Sequence, residues 1–187
     1  MSKNIVHFAP AFASKGGGIF EVVHCLANEQ CEFYGASNVK VIGCSDNIVS
    51  QVHDLPNGVL LDILPYSWNY IVFLRNFFKF YKVLKKSDIL HVHGAWSLQF
   101  FLLLPFIVFN QSSRIVYQPH GLLSYIRFKK SKLLKKIFWH LVMKLIIRKS
   151  SIVISTSSIE EHEFIYGHEV SKKVKCVSNA IANDFFH

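Results

Sequence analysis

Ile5-Val6-His7-Phe8, then Gly16-Gly17-Gly18, then a helix-like stretch over 19–29: this opening run decides the fold class of the 187-residue chain. An apolar run of this length reads as a buried strand, and glycine adopts φ > 0 at little cost. A strand, a glycine-rich turn and a helix in that order build a cradle whose free N–H groups and helix dipole favour an anion. The run is not a dinucleotide fingerprint. Glu21 stands where the third glycine of G-x-G-x-x-G would fall, and no G-K-[ST] is present. A plain turn is an equal reading of the triplet alone; its place after the first strand favours a phosphate-bearing ligand.

Working outward, short β-rich runs at 4–8, 39–44, 59–63, 88–93, 114–118, 151–155 and 173–177 alternate with longer helical patterns. The helices are expected at 18–30, 68–86, 97–109, 129–149 and 158–166, the last opening on a capping box, Ser158-Ile-Glu-Glu161. Alternation of this kind predicts an α/β fold: a Rossmann-like parallel sheet with helices on both faces, in one domain over residues 1–187. Ligands of such sheets bind beyond the carboxyl ends of the strands. That directs attention to Ala9-Pro10, Ser45-Asp46, His93-Gly94-Ala95-Trp96, Pro119-His120-Gly121 and Thr156-Ser157.

A hydrophobic content of 51% excludes a disordered chain, and a formal charge of +9 points to a polyanionic partner. The cysteines at 25, 31, 44 and 176 have no framework spacing and read as free, mostly buried thiols in a reducing compartment. The start of the chain lacks the long apolar core of a signal peptide. The longest apolar run, 100–109, contains Pro105 and is half the length of a membrane span. A cytoplasmic location is expected.

His91 and His93, two apart on one strand, share a face of the sheet, and His120 follows the next strand. Three histidines could bind zinc, but no carboxylate has ligand spacing and His91 lies further down its strand, so no metal is expected. Residues 129–149 hold eight of the 21 lysines and arginines. Leu133/Leu134, Ile137/Phe138, Leu141/Val142 and Leu145/Ile146 recur every four residues as a core-facing stripe. Trp139, Met143 and Ile147 form a second stripe, which either is buried as well or docks elsewhere. With Lys129, Lys132 and Lys136, the residues Trp139 and Met143 are the candidates for docking on an anionic membrane or a partner. No nucleic-acid recognition motif is present, and no nucleic-acid partner is expected.

Taken in order, Gly16-Gly17-Gly18, Asp88-Ile-Leu-His-Val-His-Gly94, Gln118-Pro-His-Gly-Leu-Leu123, the basic stretch, Ile154-Ser-Thr-Ser157 with Glu160/Glu161, and Val177-Ser-Asn-Ala-Ile181 resemble the N-terminal domain of a family 4 glycosyltransferase of the GT-B fold. The resemblance implies transfer of a sugar, with retention, from a nucleotide-sugar donor, which is a substrate rather than a cofactor. The acceptor would be a glycan, lipid-linked in many relatives that build lipopolysaccharide or capsule, and a peripheral position on the inner face of the plasma membrane would suit it. It assigns His120 to the donor sugar at the reacting centre. Gly16, Gly17, Gly18, His93, Gly94 and Gly121 fall to the donor diphosphate and substrate, with backbone N–H groups offsetting charge on the departing phosphate.

Family members carry most of the nucleotide site, including a paired-glutamate motif, on a second Rossmann-like domain. The present residues are therefore expected to be inactive without such a half, whether it comes from a separate chain or not at all. The alternatives are a non-catalytic remnant or acceptor-binding module, and a basic peripheral-membrane protein.

Overall fold

The computed structural model describes residues 3–10, 18–45, 60–65, 70–109, 112–124, 133–167 and 173–179. Seven strands lie in one sheet: β1 (Ile5–Ala9), β2 (Val39–Ser45), β3 (Leu60–Pro65), β4 (Ile89–His93), β5 (Arg114–Gln118), β6 (Ile152–Ser155) and β7 (Val174–Cys176). Their order is β3-β2-β1-β4-β5-β6-β7, and every pairing is parallel. The chain winds outward from β1 through β2 to β3, returns beside β1 as β4, and winds outward the other way. The order therefore reverses between β1 and β4, where doubly wound sheets open a crevice at their carboxyl ends. Each predicted strand is present within one or two residues.

Helix α1 (Gly18–Tyr34) covers one face of the sheet. Its Val23 and Ala27 pack with Ala9, Val39 and Val41 in a small cluster. The other face carries the large side chains: Val6, Phe8, Leu90, Val92 and Tyr117 meet α2 (Tyr70–Leu84) through Phe80 and Leu84, and α3 (Phe100–Phe109) through Phe100, Leu103 and Phe106. The core is lopsided because alternate residues of β1 and β4 differ in chemistry. Val6 and Phe8 pair with Leu90 and Val92 on the heavy face, while His7 lies beside His91 on the α1 face. Ten-residue α3 holds Pro105 inside it, and no described helix is long and apolar enough to cross a membrane.

The basic segment departs from its expected form. It folds as α4 (Leu133–Phe138), a π turn (Trp139–Met143) and α5 (Lys144–Lys149). Trp139, Val142, Met143, Ile146 and Ile147 are core, whereas Leu133, Leu134, Ile137 and Leu141 are exposed. Trp139 and Met143 are therefore corrected from docking residues to core residues, and half of the stripe assigned to the core, Leu133, Leu134, Ile137 and Leu141, faces outward. The reason is geometric. The buried positions 139, 142, 143, 146 and 147 step by threes and fours, the spacing that turns one helix face to the sheet, and Leu133, Leu134, Ile137 and Leu141 fall outside that face. Lys136 is exposed as expected; Lys129 and Lys132 lie outside the described residues.

Two smaller expectations are adjusted. The helix after β6, α6 (Ser158–His162), is capped one residue earlier than predicted, by Ser157, whose Oγ accepts from the Glu160 N–H at 3.2 Å. Cys25 and Cys31 are only half-buried and Cys176 is exposed, where mostly buried thiols were expected. Met143→Ala should cost about 2–5 kcal/mol, as truncation in a closed core does, while Leu134→Ser should change stability by less than about 0.5 kcal/mol. Denaturant unfolding of the two variants checks this assignment; equal losses would return Leu134 to the core.

Candidate functional site

The site is built on two turns at the carboxyl ends of β4 and β5. His93 ends β4, and Gly94 after it adopts φ 83°. Its N–H donates to the Gln118 carbonyl at 2.9 Å, and its own carbonyl accepts from the Tyr117 hydroxyl at 3.0 Å. A Cβ on Gly94 would sit 3.4 Å from Ile19 Cδ1, so the first turn of α1 closes directly over this turn. After β5 the chain passes Pro119 into two successive left-handed residues, His120 at φ 56° and Gly121 at φ 74°. A left-handed non-glycine residue costs on the order of 1–3 kcal/mol and persists only where its surroundings hold it.

What holds it is Glu160. This carboxylate on α6 is buried, yet Oε1 accepts from the Gly121 N–H at 2.7 Å, and Oε2 accepts from the Thr156 N–H at 2.7 Å and the Thr156 hydroxyl at 3.0 Å. Three donors replace the hydration of a buried charge. One side chain thereby ties the His120 turn to the turn after β6. Trp96 adds a second tie, its Nε1–H donating to the Leu122 carbonyl at 2.7 Å.

Beneath the turns, side chains of β1 and β4 fill the gap under α1 with imidazoles. His7 Nε2 lies 2.8 Å from Gln30 Oε1, His7 Nδ1 lies 3.0 Å from His93 Nε2, and His93 Nδ1 lies 3.0 Å from His120 Nε2. His91 stacks alongside, its ring centroid 4.0 Å from that of His93. Desolvation by burial lowers all four pKa values. His7 falls to about 4 against the opposing bond to Gln30, and His120 to about 4. His91 and His93 are held well below the ordinary imidazole value, with the neighbouring histidines adding to the effect. At neutral pH the row is uncharged, so it offers hydrogen bonds rather than cations.

This geometry redistributes the expected roles. His93 and His120 are in contact, but His93 is 1% exposed and both its nitrogens are engaged. Its polar contacts are with His7 and His120. The amides of Gly94 and Gly121 are likewise already donated, so they are not free to offset phosphate charge. Gly18 opens α1, and a Cβ there would meet nothing within 4 Å; Gly16 and Gly17 lie outside the described residues.

Sequence reasoning missed His7, Gln30 and Glu160. His7 looked like part of an apolar run, and only its register opposite His91 marks it. Among the described residues one group could hold a metal ion: His7, His91 and His93, with ligand atoms within 4.8 Å of one another. It differs from the trio visible in the sequence because β1 supplies His7 where His120 was considered. Two of its members are joined by the His7–His93 hydrogen bond, and no carboxylate belongs to it.

A buried neutral imidazole makes stability depend on pH. His7 has a folded pKa of about 4 against 6.5 ordinarily, so between those values the unfolded chain binds protons that the folded chain refuses. The contribution, about 3 kcal/mol for His7 alone, is fully present above pH 6.5 and is lost as pH falls towards 4. Thermal melts should give a flat Tm above about pH 7 and a steep fall through that window. A Tm constant from pH 7 to 4.5 would contradict the buried neutral row.

Comparison with known proteins agrees with this architecture. The model of the family "Glycosyltransferase Family 4" matches residues 16–185. No curated protein matches the chain. Among solved structures, Anabaena Alr3699/HepE in complex with UDP and glucose is similar with a TM-score of 0.64 at 16% identity, over 98% of this chain and 46% of that one. The same Anabaena protein in complex with UDP gives 0.66 at 14% identity, over 100% and 46%. The UDP-GlcNAc 2-epimerase of Methanocaldococcus jannaschii gives 0.57 at 16% identity, over 96% and 46%. The chain thus spans about half the length of the structures it resembles, and at these identities the likeness shows the fold. With a seven-stranded parallel sheet of doubly wound order, and a family match over nearly its whole length, the chain belongs to glycosyltransferase family 4 and has the architecture of the N-terminal half of a GT-B fold.

Proposed function

We propose that this domain is the acceptor-side half of a retaining glycosyltransferase that moves a sugar from a nucleotide-sugar donor to a glycan acceptor. The observation that carries the reading is His120: a neutral imidazole in a left-handed turn at the crest of the sheet, braced by Glu160, with no partner for its Nδ1 among the described residues. Its uncharged state suits contact with the hydroxyls of a sugar. Charge on the diphosphate then falls to the start of α1 at Gly18, where the helix dipole favours an anion, and to the second half of the fold. The UDP and glucose bound by the Anabaena protein support a nucleotide sugar as the ligand class.

The acceptor is assigned to the turns after the strands, as a lipid-linked glycan in cell-surface polysaccharide biosynthesis. One observation favours a membrane position. Leu133, Leu134, Ile137 and Leu141 are exposed on the same segment as Lys135, Lys136 and Lys144. Apolar side chains flanked by lysines suit the surface of an anionic bilayer. On this reading the docking surface is formed by α4 and Leu141 of the π turn, residues that the sequence assigned to the core. Leu134→Glu with Leu141→Glu should weaken co-sedimentation with vesicles containing anionic lipid at least tenfold without changing Tm. Unchanged partitioning would remove this face from the membrane.

The activity is tested by joining the chain to the second half of a GT-B relative and assaying donor hydrolysis and transfer. His120→Ala should lower turnover by on the order of 10²–10³ while leaving the fold intact, the loss usual for a hydrogen-bonding group at a reacting centre. Unchanged turnover would exclude His120 from the site. Sugar transfer by no such pairing, with glycan binding retained, would identify an acceptor-binding module or a non-catalytic remnant instead.

A further inference from the structure

A neutral imidazole has one donor nitrogen and one acceptor nitrogen. Imidazoles joined end to end therefore share a single polarity, and fixing one end fixes every member. Gln30, His7, His93 and His120 are joined in this way, through contacts of 2.8, 3.0 and 3.0 Å. The Gln30 end sets the direction. Its Oε1 faces His7 and can only accept, so the His7 Nε2–H donates to it. His7 Nδ1 must then accept from the His93 Nε2–H, and His93 Nδ1 from the His120 Nε2–H. The last nitrogen, His120 Nδ1, is left with a bare lone pair, buried and without a partner among the described residues.

We propose that Gln30 and His7 are positioning residues which, through His93, lock His120 in its Nε2–H tautomer, so that Nδ1 accepts a hydrogen bond from a ligand hydroxyl. The identification of that hydroxyl as one belonging to a sugar rests on the transferase reading; the lock does not. The arrangement selects by chemistry. A hydroxyl can donate to Nδ1, whereas a phosphate or carboxylate oxygen would bring lone pair against lone pair. The chain is a lock rather than a proton wire, because the Gln30 amide neither gives up nor takes a proton in the range where proteins are folded. Burial keeps His7 and His93 neutral, which preserves the single polarity at physiological pH. The relay also crosses layers: it starts on α1, passes through β1 and β4, and ends on the turn after β5, so a residue remote from the cleft governs the group within it.

The test is nuclear magnetic resonance of the 187-residue chain labelled with ¹⁵N at histidine. Cross-hydrogen-bond ¹⁵N–¹⁵N couplings from His93 Nε2 to His7 Nδ1 and from His120 Nε2 to His93 Nδ1, with both protons on Nε2, are the expected result. Gln30→Met keeps the shape and removes the acceptor, and should convert His120 to a mixture of tautomers. Protons on Nδ1, absent couplings in the native chain, or a His120 tautomer untouched by Gln30→Met would each overturn the proposal. So would one equivalent of zinc held by His7, His91 and His93 in the purified protein. The native spectrum decides the matter even if a variant fails to fold. Addition of UDP-glucose forms a separate arm: couplings intact with no response at His120 Nδ1 supports the lock and counts against the transferase reading.

Discussion

Everything distinctive in this domain follows from burying a row of imidazoles between α1 and the centre of the sheet. A buried imidazole cannot stay charged without a counter-ion, and among the described residues none of the four has one. They become neutral, and each neutral ring then needs both a donor and an acceptor in reach. β1 and β4 supply these needs from adjacent parallel strands, since parallel register sets His7 beside His91 and the alternation of the strand puts His93 on the same face. The run from Gln30 through His7 and His93 to His120 is satisfied along its length and open at His120 Nδ1, while beside it His91 Nε2 is buried with no hydrogen-bond partner among the described residues.

The lopsided core is the counterpart of this arrangement. Polar rings on the α1 face contribute little hydrophobic stabilisation, and the apolar cluster there is built from alanines and valines. Stability has to come from the opposite face, where Phe8, Phe80, Phe100, Tyr117, Trp139 and Met143 are gathered. That division lets the residues near the cleft be chosen for chemistry while packing is secured elsewhere. It also explains why the π turn at 139–143 is tolerated: Trp139 and Met143 are anchored in the heavy core on both sides of the irregularity.

The strands and the fold class were legible because a parallel sheet buried on both faces writes itself as short apolar runs, and the glycine turn and helix after β1 give the winding. His93 and His120 were legible by position, at the ends of β4 and β5. Other features were hidden for stated reasons. His7 sits inside an apolar run and gains meaning only from its pairing with β4. Gln30 is one of many polar residues on a helix, distinguished only by the imidazole above it. The outward face of the basic segment was misread because two apolar stripes overlap there, and spacing alone does not say which one meets the sheet.

Glu160 shows how far such hidden contacts reach. In the sequence it belongs to a helix start, with capping as its evident role. In the fold the cap is Ser157, and the carboxylate of Glu160 is released to bind the turn of another strand. A neutral alternative at that position could satisfy the same amides, but an anion accepts all three donors without offering one of its own. The carboxylate is bonded to backbone and hydroxyl rather than to a histidine, so it fixes the turn without drawing a proton onto His120. The domain thus separates the group that holds the turn, charged and fully bonded, from the group the turn presents, neutral and with one lone pair to give.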